Sequence, residues 1–100
     1  MSTAESDDSY AYLVTVLNYR WRVIECRRGI QWILQYRNRT ETVARHVWRG
    51  GSYCRTREAL IRCCDAHAGQ VGLAARTILA ALPERLNSEI QNSFQIKETS

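Results

Sequence analysis

Residues 30–37, Ile-Gln-Trp-Ile-Leu-Gln-Tyr-Arg, fix what this chain can become more firmly than any other stretch. Ile30, Trp32, Leu34 and Tyr36 alternate with Gln31, Ile33, Gln35 and Arg37. That is the period-two pattern of a strand with one face turned to a core. Trp21–Cys26 reads as its antiparallel neighbour, with Arg27-Arg28-Gly29 between them. A two-residue Arg28-Gly29 turn would force Arg28 to positive φ, which a bulky side chain resists. A three-residue loop with Gly29 in the left-handed region avoids that strain and is the expected connection. Cys26 then opposes Ile30, Ile24 opposes Trp32, and Arg22 opposes Leu34. The expected core face is Ile24, Cys26, Ile30, Trp32 and Leu34; the expected outer face is Trp21, Val23, Glu25, Gln31, Ile33 and Gln35. A slip of one residue would exchange the faces of a whole strand.

The remaining elements are read around this hairpin. Tyr10–Leu17 is rich in β-branched and aromatic residues and is expected to be a strand, with Asn18-Tyr19-Arg20 as its turn. Val43–Arg49 is expected as a further strand, broken by Gly50-Gly51, which Ser52-Tyr53-Cys54 resumes. Thr56 is the expected N-cap of a helix to about His67, with Glu58 in its first turn and Gly69 after its end. Its inner stripe is expected to be Leu60, Cys63, Cys64 and His67. A second helix from about Gly72 to Leu82 is expected to bury Leu73, Ile78, Leu79 and Leu82 before Pro83 stops it. The expected fold is α+β: a three- or four-stranded antiparallel meander followed by two C-terminal helices packed on one sheet face. Residues 1–9, without large apolar side chains beyond Met1, are expected to be disordered. Residues 10–86 are expected to form a single domain, and 87–100 a flexible tail.

Trp21–Gln35 (WRVIECRRGIQWILQ), Ser52–Arg62 (SYCRTREALIR) and Ala81–Arg85 (ALPER) resemble phrases in short proteins of alphaproteobacterial genomes and their mobile elements. The likeness spans about residues 18–86. It brings no activity and no functional residue with it.

Charge is the main functional signal. The chain of 100 residues carries a net charge of +4, but residues 9–88 alone hold 13 arginines against five acids. Glu5, Asp7 and Asp8 stand apart at the start, and Lys97 is the only lysine. Arginine forks suit phosphates, carboxylates and aromatic faces. Arg20, Arg22, Arg37, Arg39, Arg45 and Arg49 punctuate the strands beside Tyr19, Trp21, Tyr36 and Trp48, a pattern that suits nucleic acid or another acidic partner. The expected outer face, Trp21, Val23, Ile33, Gln31 and Gln35, needs a cover. Tyr10–Leu17, a second copy in a homodimer, or a protein target are the candidates, with a second copy or bound partner preferred.

Catalysis and metals are poorly provided for. Cys26, Cys54, Cys63 and Cys64 form no Cys-x-x-Cys, and Cys64 with His67 is a single C-x-x-H. Cys54 or Cys64 with His46 or His67 is the candidate nucleophile–base set, but Cys64 and His67, three apart on a helix, fall on its apolar stripe, where a neutral thiol is inert. The glycines make no phosphate cradle and the acids no catalytic pair. No catalytic residue, metal or cofactor is therefore expected. The start, MSTAESDDS, is not a basic-then-apolar leader, and Tyr10–Leu17 is about ten residues short of a bilayer crossing, so a cytoplasmic, non-membrane protein is expected. The reading is a small basic binding module for nucleic acid or a nucleoprotein complex. Its alternative is a protein inhibitor of the anti-CRISPR kind, docking on a protein surface.

Overall fold

The computed structural model describes residues 3–37 and 48–86. Four strands, β1 (Leu13–Val16), β2 (Trp21–Glu25), β3 (Trp32–Tyr36) and β4 (Arg49–Cys54), form one sheet in the order β1-β2-β3-β4. Every neighbouring pair is antiparallel. Two helices follow, α1 (Arg57–His67) and α2 (Leu73–Ala80). The α+β meander with two C-terminal helices is the architecture that the strand pattern predicts.

The register of the central hairpin differs by one residue from expectation. The Cys26 amide donates to the Gln31 carbonyl at 3.0 Å, so Arg27, Arg28, Gly29 and Ile30 form a four-residue loop. Gly29 takes the left-handed conformation, φ 70°, and its amide donates to the Cys26 carbonyl. The pairs are therefore Arg22 with Gln35, Val23 with Leu34, Ile24 with Ile33 and Glu25 with Trp32. This turns β2 over: Val23 joins Trp32 and Leu34 on one face, and Ile24 joins Ile33 on the other. Polar matching explains the choice. The expected register sets the Arg22 guanidinium against Leu34, whereas the observed one lets its Nε donate to Gln35 Oε1 at 2.7 Å. Ile30 is absorbed into the loop, its amide donating to Cys26 Sγ at 3.4 Å.

One sheet face carries the helices. Leu17, Val23, Trp32, Leu34 and Cys54 are buried there against Leu60, Cys64 and Ala68 from the α1 side and Ala75 and Leu79 of α2. Thr56 caps α1 as its sequence position predicts, its Oγ1 accepting from the Ala59 amide at 3.1 Å. Gly69, φ 74°, turns the chain after the helix, and Asn18 Nδ2 donates to the Ala68 and Gln70 carbonyls, binding the β1–β2 turn to this corner. In the α1 stripe Leu60 and Cys64 are buried, Cys63 is half-buried and His67 is exposed.

In α2 the buried residues are Ala75 and Leu79, one helical turn apart. Leu73 and Ile78, expected inside, are exposed, Leu73 by 82%. Two residues are about 200° of helix, so Leu73 points away from the side that Ala75 presents. α2 packs on β1 and α1, and Ala75 and Leu79 are the side chains it buries.

Gly50-Gly51 does not break the last strand. β4 runs through both, with a register shift opposite Leu34 and Gln35. A Cβ on Gly51 would stand 3.3 Å from the Leu34 carbonyl and 3.5 Å from the Trp21 ring, and one on Gly50 would meet the Tyr53 hydroxyl. The glycines mark close approach inside a strand. The Val43–Val47 part of the expected third strand, and the 87–100 tail, lie outside the described residues.

Candidate arginine face and its acidic cover

The sheet face away from the helices holds Arg22, Ile24, Ile33 and Gln35. Residues 3–9, expected to be disordered, are placed on it. Two successive turns, with amides of Asp7 and Tyr10 donating to the Ala4 and Asp7 carbonyls, fold this segment. Tyr10 closes the apolar end of the face with Ile24, Cys26 and Ile33, its hydroxyl donating to the Glu25 carbonyl at 2.8 Å. Burial first, then the nearby Glu5 and Cys26, push the Tyr10 phenol up to about 12.

Arg22 is the centre of the polar half and is only 2% exposed. Besides its bond to Gln35, its Nη2 donates to the Glu5 and Asp7 carbonyls at 3.0 Å each, and Nη1 to the Asp8 carbonyl at 3.4 Å. Gln35 Nε2 donates to the same Glu5 carbonyl at 2.9 Å. The fork thus reads the backbone of the acidic segment. Burial lowers the Arg22 pKa; Asp8 and Asp7 oppose that shift, while Arg37 adds to it.

Trp48 lies beside this fork, its ring centre 4.5 Å from the Arg22 guanidinium carbon and 4.8 Å from that of Arg37. Its indole N–H donates to Asp8 Oδ1 at 2.9 Å and its amide to the Ser6 carbonyl. Asp8 also stands 4.0 Å from Arg37. Arg37 in turn lies 4.6 Å from the centre of the exposed Tyr19 ring, and its Nε donates to the Tyr19 carbonyl at 2.8 Å. Arg20 Nε donates weakly to the Arg37 carbonyl at 3.4 Å, and Arg49 pairs with Tyr36 in the next strand. Tyr19, Arg20, Arg37 and Arg49 therefore share the end of the sheet where the β1–β2 turn lies, with Arg49 paired across from Tyr36 and not in contact with the Tyr19–Arg37 pair.

The arginine set of the sequence reading is divided by this geometry. Arg20 and Arg49 are exposed, Arg37 is half-buried, and Arg22 is enclosed and unable to meet a partner while its cover is in place. Arg39 and Arg45 lie outside the described residues. The expected outer surface is also corrected. Val23 is fully buried under the helices, and Ile33 and Gln35 are buried under residues 3–10. Trp21 is half-buried on the helix side, near Tyr36 at 5.4 Å and His67 at 6.5 Å between ring centres. Gln31 is half-buried beside the hairpin loop. The cover is the chain's own acidic start. Its charge, opposite to that of the strands, was the signal that could have paired the two.

The thiols and His67 do not assemble a catalytic set, and His46 lies outside the described residues. Cys64 is buried and, with Ile61, Val71 and Leu79, lines a cleft of about 200 Å³. His67 is instead exposed beside Trp21. Burial pushes the Cys64 thiol up to about 11 and the Cys54 thiol to about 12. Among the described residues no group of three or more His, Cys, Asp or Glu side chains could hold a metal ion. No family model matches the chain, and the comparisons with curated proteins and with solved structures likewise find no match.

Proposed function

We propose that this chain is a non-enzymatic basic binding module that contacts nucleic acid, free or in a nucleoprotein complex, with the Tyr19–Arg20–Arg37–Arg49 end of its sheet. The observation that carries the reading is the Tyr19–Arg37 pair: an aromatic ring, 60% exposed, held beside a guanidinium with two further exposed arginines at the same end. A ring and a guanidinium so placed can stack on an unpaired base and pair with the phosphate beside it. The raised cysteine pKa values favour packing over nucleophilic chemistry.

The test is fluorescence anisotropy with labelled single-stranded RNA and DNA across a salt series. Binding should weaken steeply with salt, and the R20A/R49A double variant should lower the log–log slope by about 1.4, two single-strand phosphate contacts. Arg85→Ala, at the other end of the sheet where Arg85 bridges Thr56, should leave it unchanged. A salt-independent signal, or equal losses from both variants, would retire the reading.

A second reading, a protein inhibitor, is favoured by the exposed Tyr12, Leu13 and Val16 on and beside the edge strand β1. A stoichiometric complex with a foreign protein that survives nuclease treatment would select it, whereas self-association alone would not. No helix among the described residues is long and apolar enough to cross a membrane.

A further inference from the structure

Cys54, the last residue of β4, and Cys63, on α1, bring their sulfurs to 3.7 Å, a weak thiol–thiol hydrogen bond. The eight residues of chain between them fold back so that the helix lies over the strand end. A disulfide needs the sulfurs about 1.7 Å closer. The two thiols differ in access: Cys54 is buried, whereas Cys63 is half-buried. Cys26 is remote from them, in the cluster with Tyr10 and Ile33, and Cys64 is buried in the helix-side core.

We propose that Cys54 and Cys63 are a redox modification site, closing to an intramolecular disulfide under a peroxide oxidant and fastening α1 to β4. Cys63 meets the oxidant first because it is the accessible member. Its thiolate attacks one peroxide oxygen, the O–O bond breaks, and hydroxide leaves as water after taking up a proton, giving a sulfenic acid. The Cys54 sulfur then attacks the Cys63 sulfur. The S–O bond breaks and the hydroxyl leaves as water with the proton of the Cys54 thiol. Two thiols are oxidised, one hydrogen peroxide is reduced, and two waters form. Burial holds Cys54 protonated until that second step, which keeps it from direct oxidation.

The experiment treats the full chain with hydrogen peroxide, blocks free thiols with a maleimide, and digests it with trypsin without reductant. Two of the four thiols should become unreactive, and the peptides Gly50–Arg55 and Cys63–Arg76 should appear joined, separating on addition of dithiothreitol. Cys63→Ser should abolish the joined species and Cys64→Ser should retain it, which assigns the bond within a peptide that holds both cysteines. Circular dichroism verifies that each variant is folded. A folded wild type that keeps four reactive thiols, gives only intermolecular disulfides, or loses the joined peptides in Cys64→Ser alone would overturn the proposal. None of these outcomes depends on nucleic-acid binding.

Discussion

Replacing Arg22 with alanine should remove more stability than any other single change on the polar face. The side chain supplies donors to four acceptors, three of them at 3.0 Å or less: Gln35 Oε1 and the carbonyls of Glu5 and Asp7. A hydrogen bond to a charged group contributes about 1.5–3 kcal/mol, so the three short ones sum to at least about 4.5 kcal/mol. The carbonyls of the amino-terminal segment regain water once the segment lifts, which offsets part of that. Loss of the Arg22 stack on Trp48 and the vacated space work the other way. The expected net loss is about 3–5 kcal/mol, the sum for the short bonds after that offset. For a domain of this size it corresponds to a drop in melting temperature of at least about 12 °C. Urea denaturation followed by circular dichroism measures it directly. Arg22→Lys, with charge but no fork, should fall between alanine and wild type. An alanine variant within about 1 kcal/mol of wild type would show that the fork does not hold the segment, and the account of the cover would be wrong.

Thr56→Ala should cost about 1 kcal/mol through loss of the α1 cap to the Ala59 amide, measured as a urea midpoint shift without a change of slope. Val23→Asp should leave the chain unfolded by circular dichroism, because a carboxylate would lie in the core beneath the helices, whereas Leu73→Asp on the exposed side of α2 should fold normally. In alkaline solution the fold favours the protonated Tyr10 phenol, whose pKa rises from 10.0 to about 12. Its contribution is complete below pH 10 and is lost as the pH climbs to about 12, so Tyr10→Phe should flatten the fall in stability over that interval.

The alternation in Ile30–Arg37 and the Thr56-x-Glu58 start of α1 were legible because each is local: a period of two, and a side chain reaching its own helix. The register of the hairpin was not, because it depends on what lies across each strand. Loop strain favoured three residues, while the Arg22–Gln35 bond and the company of Val23 with Leu34 favoured four. Cross-strand matching outweighed turn preference. The N-terminal segment failed for a related reason. Short of apolar area, residues 3–9 read as unable to fold, yet the donors that hold them belong to Arg22, Gln35 and Trp48. Of the arginine cluster, composition shows an excess of basic side chains but could not separate exposed Arg20 and Arg49 from the enclosed Arg22.

The sheet is clasped on its two sides by materials of different character. Beneath the helices the grip is oily and broad, and it yields only when the whole domain melts. Beneath residues 5–8 the grip is a handful of directed bonds on one guanidinium, one amide and one indole. Such a latch can spring while the oily side stays shut, so amide protons along the amino-terminal stretch should exchange with deuterium well ahead of those in β2 and β3.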